Sequence, residues 1–186
     1  VRVITNKSSG KMGVYLAEEA FLRGADVTLI RGSNSVEPRC HFNDIKISSV
    51  KELFDEIKKN IKDNDIMIHA AAVSDFTTSK SNGKIKSDQN LHLELTPTTK
   101  IFENIKKINK NIVLIGFKAE YDVKEKILVD KAYDLLKSAD ADFVVANDVS
   151  KKGRGFDTET NEVFIVDKDK DVKHINLADK KIVGNK

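Results

Sequence analysis

The sequence predicts an α/β domain: a doubly wound, Rossmann-like, mostly parallel sheet with helices on both faces and a C-terminal hairpin. Three observations carry this. Short apolar runs alternate along the chain with stretches of helical period. The run 65–72 is almost wholly apolar, as suits a parallel strand buried on both faces. The 186 residues contain no internal repeat, low-complexity tract or linker, so residues 1–186 read as one domain with a sizeable core.

The elements follow in order. Val1, Val3 and Ile4 read as the end of a strand. Val14, Leu16, Ala17, Ala20 and Phe21 then fall at a helical period, and Arg23-Gly24 is a stop. Residues 25–30 and 45–47 are short strands. Ser49 and Glu52 have the spacing of a capping box, opening a helix with Leu53, Phe54, Ile57 and Ile61 on one face. After the 65–72 strand, residues 74–90 are polar and read as a long mobile loop, of the kind that is either a functional lid or disordered. A strand at 91–95, a helix at 98–108, a strand at 112–117, a helix at 124–138 and a strand at 143–146 complete the alternation. Strands at 163–166 and 172–175, joined by Asp-Lys-Asp-Lys-Asp, form the terminal hairpin.

Composition narrows the function. Net charge is +3 with 33% charged residues, which argues against a dedicated nucleic-acid binder. No apolar run approaches a membrane span, and the N-terminus lacks a signal-peptide core. Cys40 is the only cysteine, so no internal disulfide forms and a reducing cytoplasm is the expected location. His41, His69, His92 and His174 show no ligand spacing, so no residues are assigned to a metal.

The richest stretch is Thr5-Asn6-Lys7-Ser8-Ser9-Gly10-Lys11-Met12-Gly13, between the first strand and the first helix. A helix start presents unpaired N–H groups and a partial positive charge, so such a loop suits a phosphate or carboxylate. A strand–helix turn with an ordinary serine cap would have the same composition.

Four further blocks follow in order: His69-Ala70-Ala71-Ala72-Val73-Ser74-Asp75-Phe76, Lys84-Ile85-Lys86, Gly116-Phe117-Lys118-Ala119-Glu120 and Ala146-Asn147-Asp148-Val149-Ser150. Together with the first loop, they resemble phosphopantothenoylcysteine synthetase, the phosphopantothenate–cysteine ligase of coenzyme A biosynthesis. The likeness runs from Val1 to about Val166. It implies that a nucleoside triphosphate, CTP rather than ATP, activates the carboxylate of 4′-phosphopantothenate as an acyl-nucleotide. Cysteine then forms the amide. Mg²⁺ would arrive with the triphosphate.

The resemblance also assigns roles. Asn6 and Lys84 are the catalytic pair, with Lys86 the alternative if the loop register shifts by two. Arg2, Ser8, Ser9, Gly10, Lys11, Met12, Gly13 and Ala72 bind phosphopantothenate. Ala70, Ala71, Asp75, Lys84, Thr99, Lys100, Ile101, Phe102, Phe117, Lys131 and Lys137 bind nucleotide. The family implies a homodimer and, in fused relatives, a preceding flavin-dependent decarboxylase. It also implies a strand before Val1, so a central sheet position is expected to be filled by residues outside this sequence.

Two other readings compete. Tyr133 and Lys137 have the Tyr-x3-Lys spacing of NAD(P)-dependent short-chain reductases. However, Asn6 stands where the first glycine of their loop belongs, and Gly13 is one place late. A binding module that keeps the fold without catalysis is the non-enzymatic alternative.

Overall fold

The computed structural model describes residues 5, 6, 8–78, 92–155 and 158–186. Its elements are α1 (Lys11–Leu22), β1 (Thr28–Gly32), β2 (Asn43–Ile47), α2 (Val50–Asn60), β3 (Ile66–His69), β4 (Phe76–Thr78), β5 (Leu95–Pro97) and α3 (Ile105–Ile108). Then come β6 (Val113–Glu120), α4 (Glu125–Ala139), β7 (Phe143–Asp148), β8 (Thr160–Asp167), β9 (Val172–Asp179) and α5 (Lys180–Gly184).

The main sheet has the order β3-β6-β7-β8-β9. Strands β3, β6 and β7 are parallel, while β8 and β9 form the expected hairpin and extend the sheet antiparallel. Strands β1 and β2 form a separate parallel pair. Among the described residues no ladder joins that pair to the main sheet. The expected strand at Val1, Val3 and Ile4 lies outside the described residues.

Period-two alternation along the central strands sends side chains to opposite faces. Leu114 and Val144 point into a core with Leu53 and Ile57 of α2, Ile105 of α3 and Leu128 of α4. On the other face Val145, Val163, Ile175 and Val183 of α5 cluster with Met12 of α1. Helices thus cover both faces. At the start of α2, the Ser49 hydroxyl accepts from the Glu52 N–H at 3.2 Å and Glu52 Oε2 accepts from the Ser48 N–H at 2.8 Å. The first is the bond that the capping-box spacing required; the second falls on Ser48, the residue before the cap, rather than on the N–H of Ser49 itself.

Five elements differ from expectation, the first being the strand expected at 91–95, which is β5 at Leu95–Pro97. Part of the polar 74–90 stretch is a strand, β4, paired antiparallel with β5. The helix expected over 98–108 is only a short 3₁₀ turn at Phe102–Asn104 followed by α3. The reason is at its start: the Thr98 N–H donates to Asp75 O at 2.9 Å and its hydroxyl to Ser74 O at 2.5 Å, tying it to the preceding loop. Strand β6 continues to Glu120 because its ladder with β7 persists to Asp148. Finally, α5 follows β9, capped by Asp179, whose side chain accepts from the Lys181 N–H at 2.8 Å.

Candidate active site

Ligands in doubly wound sheets bind beyond the C-terminal ends of the strands. Here those ends carry residues 70–75 after β3, the end of β6, and Asn147-Asp148 of β7. The loop entering α1 joins them directly: Asn6 Nδ2 donates to Ala72 O at 3.0 Å. Gly13 lies beside Ala70, since a Cβ built on the glycine would be 3.9 Å from the alanine Cβ. The first two sequence blocks therefore share one place.

Gly10 caps α1 in the left-handed conformation, φ 71°, rather than a serine. It has no side chain to accept from the first turn, so the helix start keeps the anion-binding character of an N-terminus. The loop is braced from outside. Val36 N–H donates to Ser9 O at 3.0 Å, and Ser35 sits so close to Gly10 that a Cβ there would lie 2.5 Å from the serine Cβ. Holding 35 and 36 is Arg31, which is buried. It donates to Ser35 O at 3.1 Å and Val36 O at 3.3 Å, and forks onto Asp44 with two 2.8 Å bonds. The sequence reading assigned Arg31 no part. Lys11 pairs with Glu159, whose carboxyl it holds below its ordinary range.

On the other side of the crevice Asp75 Oδ1 accepts from Lys100 Nζ at 2.6 Å, joining two nucleotide candidates. That bond holds the Lys100 ammonium above its usual range. Thr99 and Lys100 are exposed, whereas Ile101 and Phe102 are buried in the core. The Phe102 ring stacks on His69 with centroids 5.8 Å apart. Ligand contact from Ile101 and Phe102 is thereby limited to their backbone. Burial lowers the His69 imidazole to about 4, so it is neutral near pH 7. Phe117 packs on the opposite face of the sheet, with Val145 and Met12.

Lys131 reaches the crevice from α4 and meets a residue that the sequence reading left without a role. Glu120 Oε2 accepts from Lys131 Nζ at 2.6 Å, and Oε1 lies 3.1 Å from Lys118 Nζ. Partial burial opposes ionisation of Glu120, but the two lysines outweigh it and hold the carboxyl below the ordinary range. In the next strand Asp148 Oδ1 accepts from the N–H groups of Asp122 and Ser150, fixing two loops at the rim. Asn147 donates to Asn161 at 3.2 Å inside the protein, which gives its place in the Ala146–Ser150 block a structural role.

Lys137 is joined to this group through Asp134, which lines the same cleft as Lys118, Glu120 and Lys131. It lies in the last turn of α4, paired with Asp134 at 3.2 Å and over the Tyr133 ring. The Tyr133 hydroxyl donates to Lys168 O, at the far end of the sheet from the crevice, so the reductase reading loses its catalytic pair. Arg2, Lys84 and Lys86 lie outside the described residues. Among the described residues, no group of three or more His, Cys, Asp or Glu is placed to hold a metal ion. No helix among them is long and apolar enough to cross a membrane.

Comparison with known proteins identifies the family and the fold. A Thermococcus kodakarensis protein named coenzyme A biosynthesis bifunctional protein CoaBC is 45% identical over 172 residues, covering 91% of this chain and 41% of its own. The chain thus spans about two fifths of that relative. The crystal structure of the DNA/pantothenate metabolism flavoprotein from Streptococcus pneumoniae superposes with a TM-score of 0.85 at 30% identity, over 99% of this chain and 88% of that one. The C-terminal domain of a CoaBC protein gives a TM-score of 0.78 at 29% identity, over 99% and 82%. The match to the family profile is end to end, across residues 1–186, and the chain belongs to the DNA/pantothenate metabolism flavoprotein C-terminal domain family.

Proposed function

We propose that this domain is a phosphopantothenate–cysteine ligase. The reaction would join 4′-phosphopantothenate and L-cysteine through an acyl-nucleotide, with CTP preferred to ATP. The carrying observation is the Asn6–Ala72 hydrogen bond, which sets the candidate catalytic amide where the anion-binding loop meets the β3 crevice. The coenzyme A relative, matched over 91% of this chain, supports the same pathway.

The residues divide the work. The start of α1, with Ser8, Ser9 and Lys11 beside Gly10, would hold the substrate phosphate by N–H donors and charge. Asn6 would orient the carboxylate and then the acyl-nucleotide, because an amide can donate and accept without adding charge. The backbone of 70–72 and 99–102, with Asp75 and Lys100, would hold the nucleoside. Lys131 and Lys84 would offset triphosphate charge as the carboxylate oxygen attacks the α-phosphorus and pyrophosphate leaves. The cysteine amine would then attack the mixed anhydride, releasing the nucleoside monophosphate. Mg²⁺ bound to the triphosphate would neutralise part of its charge.

The same reading assigns a cytoplasmic location, a homodimer, and function beside a flavin-dependent decarboxylase, fused or associated. The test is turnover with phosphopantothenate, cysteine and CTP, ATP, GTP or UTP in parallel. Phosphopantothenoylcysteine and pyrophosphate should appear in equal amounts, fastest with CTP. A protein that binds these substrates but forms neither product would be the catalytically silent binding module instead.

A further inference from the structure

Strand alternation places Lys118 and Glu120 on one face of β6, toward α4, and Lys131 comes from α4 to meet them. With Asp134, Leu135 and Ser138 they line an open cleft of about 460 Å³, within the size range of small-ligand sites. Each oxygen of Glu120 serves a different lysine, so the two ammonium groups are held together by a single carboxylate. Asp134 adds little repulsion toward an anion, because its own charge is engaged by Lys137. The trio therefore carries one net positive charge around an anion that the protein itself supplies. Such an arrangement is built for exchange: a ligand with more charge and more acceptor oxygens can take both lysines from Glu120.

We propose that Lys118 and Lys131 form a clamp for the triphosphate of the nucleotide, and that Glu120 is the internal anion keeping the clamp assembled until the nucleotide displaces it. The identity of the ligand rests on the ligase reading; the clamp itself rests on the geometry of the three side chains. Lys118 thereby becomes a further binding residue. Glu120 becomes a positioning residue that also sets how strongly a polyphosphate must compete.

Calorimetric titration with CTP, ATP and inorganic tripolyphosphate, on the intact chain, tests this. Lys118→Gln should weaken binding of all three by about tenfold or more, the loss expected for a charge-assisted hydrogen bond. Lys118→Arg should recover most of it. Glu120→Gln should bind tripolyphosphate several-fold more tightly, because its competitor is gone. Unchanged affinity in Lys118→Gln, or unchanged or weaker affinity in Glu120→Gln, would overturn the clamp. If that happens while the wild-type protein makes product, the ligase reading stands without it. If the variants behave as expected but the wild-type protein makes no product, the clamp stands and the ligase reading falls.

Discussion

The ring of Phe102 occupies the space that any side chain at residue 116 would need: a Cβ on Gly116 would lie 2.3 Å from the ring's Cζ. The glycine of the Gly116–Glu120 block is therefore a packing requirement. It lets the Phe102 ring lie against β6 while stacked on His69, beneath the place proposed for the nucleotide. Gly116→Ala should destabilise the protein by about 1–3 kcal/mol through overpacking. Phe102→Leu in the same chain should return part of that loss. Denaturant unfolding of the two variants measures both effects.

The second glycine constraint is in the anion loop. Gly10 is left-handed and pressed against Ser35, so Gly10→Ala adds both backbone strain and a clash. The loop should shift away from Ala72 and Ala70. A rise of about tenfold or more in the Michaelis constant for phosphopantothenate is expected, equivalent to about 1.4 kcal/mol. The constant for the nucleotide should change little. Equal changes in both would mean the variant had lost global structure.

Asn6→Asp replaces a donor to Ala72 O with a carboxylate that cannot donate and that repels the anionic intermediate. The rate of amide formation should fall by about a hundredfold, the scale for losing one oriented electrostatic group. Thermal stability should be nearly unchanged, because the residue is exposed. Rapid-quench measurement of product, with circular dichroism as the control for folding, checks both statements.

Stability should fall in acid in two stages. His69 titrates at about 4 when folded against 6.5 when free. The unfolded chain binds the extra proton first, so stability declines as pH drops from 6.5 toward 4. Asp142 supplies the second stage. Burial raises its pKa, but the Lys168 pair, the Leu114 N–H and Lys106 together bring it down to about 2 from 3.8. Its contribution is complete above 3.8 and lost as pH falls toward 2. Asp142→Asn should cost about 2–3 kcal/mol at neutral pH and almost nothing near pH 2. His69→Phe keeps the ring contact and should flatten the first stage. Chemical denaturation across this pH range reads both.

Much of this architecture was legible because it is local. The capping box at Ser49 and Glu52 and the turn between β8 and β9 each announce themselves within a few residues, whereas β3, expected to be buried on both faces, lies at the edge of the described sheet with Ile66 and Ile68 exposed. The elements not foreseen depend on distant partners. Strand β4, Phe76-Thr77-Thr78, exists because β5 pairs with it, Thr78 meeting Leu95 17 positions further along the chain. The helix at 98–108 is cut short by bonds from Thr98 back to Ser74 and Asp75. In the site, the meeting of the Asn6 loop with the Ala70–Asp75 block was legible from the fold class, which brings strand ends together. The Lys118–Glu120–Lys131 trio and the Arg31 brace were not. A charged residue on a strand gives no sign of which helix turn will face it, and an arginine in a strand resembles any surface cation.

The most direct test of the ligase account follows the carboxylate oxygen. Phosphopantothenate labelled with heavy oxygen in its carboxylate is incubated with CTP, cysteine and the protein, and the nucleotide product is examined by mass spectrometry. If the carboxylate attacks the α-phosphorus, the released CMP carries one heavy oxygen and the other stays in the amide. Heavy oxygen in inorganic phosphate, with CDP as the nucleotide product, would mean an acyl-phosphate route and contradict the account.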